Sequence, residues 1–131
     1  MGLARIMKET NENIIALKSK SFALRCIKAY KYLNDEKGEY ILSKQLLRSG
    51  TSIGANVKEA LRGQSKPDFA AKMNIALKEA SETEYWIELL VESKILSAKA
   101  SESLLGDCVE LIKILTSIVK TAYDALNEKN K

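Results

Sequence analysis

Lys44, Arg48, Lys58 and Arg62 stand at offsets of 0, 4, 14 and 18, which a helix of 3.6 residues per turn brings close to one line. At about 1.5 Å per residue that line is ~27 Å long, and phosphates could be read along it. Lys18, Arg25 and Lys28 form a similar, shorter row nearer the start of the chain. Both rows offer anion binding; the competing reading is a solvated helix face. No reaction is offered. The chain has no His, which removes the commonest general base, the commonest transition-metal ligand and every His-containing triad. Two Cys without His cannot complete a structural zinc site within one chain, and Glu79-x-x-Glu82 lacks the imidazole of a bundle-core di-iron motif. Gly50-Thr51-Ser52-Ile53-Gly54 has two glycines four apart, but a phosphate-cradling loop needs its glycines at a strand-to-helix turn. In mid-helix, Gly50 and Gly54 fit close packing of a neighbouring backbone, with Ser49, Ser52 and Asn56 able to hydrogen-bond across the same contact. No P-loop or dinucleotide fingerprint is present, so neither a cofactor nor a metal is expected, nor an enzyme.

These residues must be carried by helices. The segment around the first row is two-faced: Leu42, Leu46, Ser49, Ile53, Val57 and Ala60 recur every three or four residues on the side away from the cations. Four helices are expected, over about 13–33, 40–62, 66–93 and 98–127. The first has Ile15, Phe22, Cys26, Ala29, Tyr30 and Leu33 on one face, with Leu17, Leu24, Ile27 and Tyr32 spilling onto others. Asn34-Asp35-Glu36-Lys37-Gly38 reads as a turn. Gly63-Gln64-Ser65 breaks the second helix, and Ser65-Lys66-Pro67-Asp68 supplies an N-cap hydroxyl, a first-turn proline and a carboxylate for the helix dipole. Ser97 can cap the fourth, where Leu105, Ile112, Val119 and Leu126 repeat at sevens beside Cys108, Leu115 and Ala122. The fold class is all-α, an antiparallel up-down-up-down four-helix bundle over 13–127, with a flexible lead-in at 1–12 and a tail at 128–131.

Composition agrees: 131 residues, 46% apolar and 29% charged with a single Pro, suit one helical domain and not a β-sandwich or a disordered tail. The formal net charge is +4, unevenly placed. Residues 1–78 hold 15 Lys/Arg against 7 Asp/Glu and residues 79–131 hold 6 against 10, which allows anionic partners on one side or pairing between copies. Cys26 and Cys108 sit at core spacing and read as reduced core thiols, a disulfide or reactive thiol being the alternative. Without a signal-like apolar run or a stretch near the roughly 20 apolar residues of a membrane span, no membrane association and a cytoplasmic location are expected.

Glu82, Glu84, Tyr85 and Trp86 cluster on the third helix beside Lys78 and Glu79. They read as polar packing between helices, with a Lys78 and Glu82 pair and Trp86 as a large anchor for helix or subunit contacts. The apolar width of helices one and four exceeds what four helices bury, so a homo-oligomer is expected. A protein-interaction scaffold presenting Glu84, Glu88 and Glu92 is the alternative to nucleic-acid binding.

SKQLLRSGTSIGANVKEALRGQSKPDF at 43–69 and MNIALKEASETEYWIELL at 73–90 resemble the bacterial four-helix-bundle family found in intervening sequences of large-subunit ribosomal RNA genes. Its relatives include the accessory variability determinants of diversity-generating retroelements. ALRCIKAYKYL in helix one and ESLLGDCVELIKILTSIVKT in helix four also fit, so the resemblance covers nearly the whole chain. Arg48, Ser49, Gly50, Ser52, Gly54, Asn56, Glu59 and Ala60 match its helix-two motif; Lys78, Glu79, Ala80, Glu82, Thr83, Tyr85 and Trp86 match its helix-three motif. The resemblance implies a homopentameric ring of bundles with a positively charged surface and no catalytic residues. For retroelement members it implies contact with nucleic acid, structured RNA foremost here, and with a partner reverse transcriptase.

Overall fold

The computed structural model describes residues 2–129. Four helices follow one another, α1 Leu3–Asp35, α2 Leu42–Leu61, α3 Lys66–Glu92 and α4 Ala98–Lys129, with no strand among the described residues. Each packs on the next and α4 returns to α1, which makes the antiparallel bundle; the α1–α4 seam is the thinnest.

Each boundary has a local cause. Gly38 takes φ +61° in the turn after α1. The residue before α2 is Ile41, which cannot cap, so the Glu39 carboxylate reaches forward and accepts the N–H groups of Ile41, Leu42 and Ser43 at 3.0, 2.8 and 2.7 Å. Ser65 Oγ accepts from the Asp68 N–H at 3.2 Å ahead of α3, with Pro67 in the first turn. At its end Lys94 adopts φ 65°, and the N–H groups of Ile95 and Leu96 both reach the Leu90 carbonyl. Ser97 Oγ accepts from the Ala100 N–H at 3.0 Å, the expected cap of α4.

The core is a column of Ile15, Phe22, Cys26 and Leu33 from α1, Leu46, Ile53 and Val57 from α2, Met73, Ala76, Ala80, Ile87 and Leu90 from α3, and Leu104, Cys108, Leu111, Leu115 and Ile118 from α4. On α4 the buried line runs at alternating spacings of four and three, and the sevens of Leu105, Ile112, Val119 and Leu126 lie half-buried beside it. Both cysteines are buried and unbridged. Burial pushes their thiols up to about 12, which keeps them protonated and unreactive at neutral pH.

Two expectations are corrected. The helix α1 begins at Leu3 and not near residue 13, and α4 is nearly as long. Residues 128 and 129 likewise extend α4, and residues 130 and 131 lie outside the described residues. At ~1.5 Å per residue α1 and α4 thus overhang the 20-residue α2.

Candidate nucleic-acid interface

Gly50 and Gly54 set the α1–α2 distance. A methyl at Gly50 would overlap Cys26 Sγ and lie 3.0 Å from Cys26 Cβ; one at Gly54 would lie 3.3 Å from the Ser19 carbonyl oxygen. The polar groups beside them face elsewhere than expected. The hydroxyls of Ser49 and Thr83 meet at 2.8 Å across α2 and α3, while Ser52 and Asn56 bond back within α2, to the Arg48 and Ser52 carbonyls. Trp86 is half-buried against the core, its ring 5.3 Å from that of Tyr85, and its indole N–H is buried with no acceptor among the described residues.

The fold separates the two cationic rows into paired and unpaired members. On α1, Lys18 bonds Glu110 at 2.8 Å and Arg25 bonds Asp107 at 2.5 Å, both on α4. On α2, Arg48 is clasped between Glu79 and Glu82 of α3. The hydrogen bond from Lys18 to Glu110 raises the lysine, and the bond to Glu82, ahead of the charges of Glu82 and Glu79, raises Arg48, so each cation is held charged. Glu82 therefore serves Arg48, and the expected Lys78–Glu82 pair is not formed. Lys28, Lys44, Lys58 and Arg62 form no ion pair with a described residue.

Of these, Lys58 and Arg62 gain neighbours that the row did not include. The turn at Gly63-Gln64-Ser65 folds α3 back so that Lys72 joins them around an open basin of about 740 Å³, while Lys66 lines the adjoining groove. Glu59 and Asp68 also line it. Glu59 accepts from Lys72 at 3.2 Å, and Asp68 sits in the first turn of α3, where the helix dipole favours its charge. Three cations, Lys58, Arg62 and Lys72, to two carboxylates leave the basin positive. Lys66 and Lys72 were not singled out in the sequence; folding the hairpin about Gly63 would have placed them, because residues equidistant from an antiparallel turn meet. Lys44 lies at the opposite end of α2, and between it and Lys58 the Arg48 guanidinium is engaged by Glu79 and Glu82.

Among the described residues no three His, Cys, Asp or Glu side chains converge as a metal site, and no helix is long and apolar enough to cross a membrane.

The fold is that of an all-α antiparallel four-helix bundle. The chain belongs to the 23S rRNA-intervening sequence protein family, whose model matches residues 11–117. It is 50% identical to a protein of unknown function from the S23 ribosomal protein family of Bacteroides thetaiotaomicron VPI-5482, whose crystal structure superposes with a TM-score of 0.82 over 84% of this chain and 98% of that one. No curated protein matches.

Proposed function

We propose that this chain is a non-enzymatic, self-associating bundle that binds nucleic acid, structured RNA foremost, through the cationic end where α2 meets α3. The observation that carries the reading is the basin of Lys58, Arg62 and Lys72 with Lys66 beside it. Neighbouring cations of this kind neutralise phosphates and release counterions. Assembly, to the pentamer that the family resemblance implies, multiplies one modest patch into several that act together. The α1 row contributes less than its sequence suggests, because Lys18 and Arg25 meet carboxylates first.

Fluorescence-anisotropy titrations of a structured RNA and a duplex DNA across a range of salt, with particle mass measured on the same sample, test it. Lys58→Glu with Arg62→Glu is expected to weaken binding and to flatten the slope of log K against log salt by about 2, close to one per lost phosphate contact. Arg48→Gln is expected to change the slope little. Equal binding by the double variant and the parent refutes the reading.

A second reading has one specific observation behind it. Leu17 and Leu24, seven residues apart on the outer face of α1, are 73% and 55% exposed, with Ile27 beside them. Such a row favours cover by another protein chain, either a further copy or a partner such as the reverse transcriptase that the resemblance suggests.

A further inference from the structure

A second concavity adjoins the cationic basin. The overhanging ends of α1 and α4 and the α2–α3 turn enclose a groove of about 700 Å³. Leu61 and Phe69 line one side, and Ile118, Ala122 and Ala125 of α4 the other. Asn11, Gln64 and Thr121 bring amides and a hydroxyl into the same groove, along with the Glu12 carboxylate. Gly63, Gln64 and Ser65 line both this groove and the basin, so the two form one surface with an apolar, hydrogen-bonding part and a cationic part. Most of its α4 wall, from Ile118 onward, lies outside the span that the family model matches.

That pairing of surfaces selects a ligand. An acyl chain gains nothing from amides and a hydroxyl. A duplex would use the cations and leave the groove empty, because its bases are stacked inside. An unpaired nucleotide has a flat apolar face, an edge of donors and acceptors and a phosphate on either side. The groove is within the range of pockets that enclose a ligand of that size. We infer that this groove takes one unpaired base of a looped or bulged nucleic-acid strand whose flanking phosphates lie in the basin of Lys58, Arg62 and Lys72. The inference rests on the nucleic-acid reading above and adds a substrate class to it: strands with extruded bases over uninterrupted duplex.

The test compares an RNA stem carrying a single bulged nucleotide with the same stem fully paired, by anisotropy with the full chain. The bulged stem is expected to bind about tenfold tighter, the effect of one base packed against protein. Ala125→Trp, on the exposed side of α4, fills the groove and is expected to bring that ratio to about one without weakening the paired stem; Thr121→Trp is the second filling variant should the first lose helicity. Measurable binding with no preference in the parent chain overturns the base pocket and leaves the nucleic-acid reading intact, whereas no binding to either stem overturns both. A preference that survives filling puts the base elsewhere and overturns the inference. A filled groove that changes the particle mass instead of the ratio does the same, identifying another copy of the chain as the occupant.

Discussion

Gly50→Ala and Gly106→Ala make the same chemical change in mid-helix and are expected to move stability in opposite directions. Replacing a helical glycine by alanine gains up to about 1 kcal/mol from backbone propensity alone. At Gly106, on the exposed side of α4, a new methyl meets nothing within 4 Å, so that gain is expected in full. At Gly50 the methyl overlaps Cys26 Sγ, lies 3.0 Å from Cys26 Cβ and 3.8 Å from Phe22 Cε2, all three atoms belonging to buried side chains of α1. Relief requires Cys26 to leave its rotamer or α1 to move off α2, and overpacking of this kind costs about 1–3 kcal/mol. The net expectation for Gly50→Ala is a loss of up to about 2 kcal/mol. Cys26→Ala removes the overlapping sulfur, so the double variant is expected to be more stable than the sum of its parts by about 1 kcal/mol. Urea unfolding followed by circular dichroism at one fixed chain concentration reads all four chains, the fixed concentration being needed because assembly adds to apparent stability. If Gly50→Ala proves as stabilising as Gly106→Ala, the glycine pair does not set the helix separation and the packing account of the α2 motif is wrong.

Glu39 is expected to hold the start of α2 in a pH-dependent way. Burial opposes its ionisation, but the N–H groups of Leu42, Ser43 and Ile41, together with the Ser43 hydroxyl, outweigh that and set it below its ordinary 4.5. Its stabilisation is therefore present above pH 4.5 and lost as pH falls through the lower folded value, so Glu39→Gln should lower the urea midpoint at pH 7 and converge with the parent in acid. Leu17→Glu with Leu24→Glu is expected to reduce particle mass in light scattering with helicity retained; an unchanged mass would remove the outer face of α1 from any assembly.

The helices were legible because their apolar residues recur at three and four and their stops are chemical: Gly38 after α1, Gly63 to Asp68 between α2 and α3, Ser97 before α4. The first turns of α1 were not, since residues 3–12 carry no capping or periodic signal that sets them apart from a lead-in. The α2 start was hidden for a different reason. Its cap comes from Glu39, outside the usual set of capping side chains and ahead of the capping position. Side-chain partners across seams were the least legible. Ser49 was expected to bond across the same contact as the glycines, and instead meets Thr83 of α3, because the register of α2 on α3 is fixed by the turn at 63–65 and not by either helix alone.

The same register decides where charge remains. Arg48 and Glu82 lie 34 residues apart and Arg25 and Asp107 lie 82 apart, yet each pair meets because antiparallel helices bring opposite charges level. A cation on a helix flank that faces a seam therefore finds a carboxylate, and the excess of Lys and Arg in the first 78 residues is cancelled there by the acidic excess of the last 53. What cancels least is the turn, where α2 ends and α3 begins inside the basic part of the chain. There Lys58, Arg62 and Lys72 are brought level with the carboxylates Glu59 and Asp68, Lys72 pairing with Glu59, and one cation is left in excess at a covalent hairpin. Lys58 and Arg62, which form no ion pair with a described residue, repel one another there at a cost to the fold. Such a cost is sensible where an anion relieves it, and this is the physical reason to look for the ligand at the end of the bundle and not along its sides.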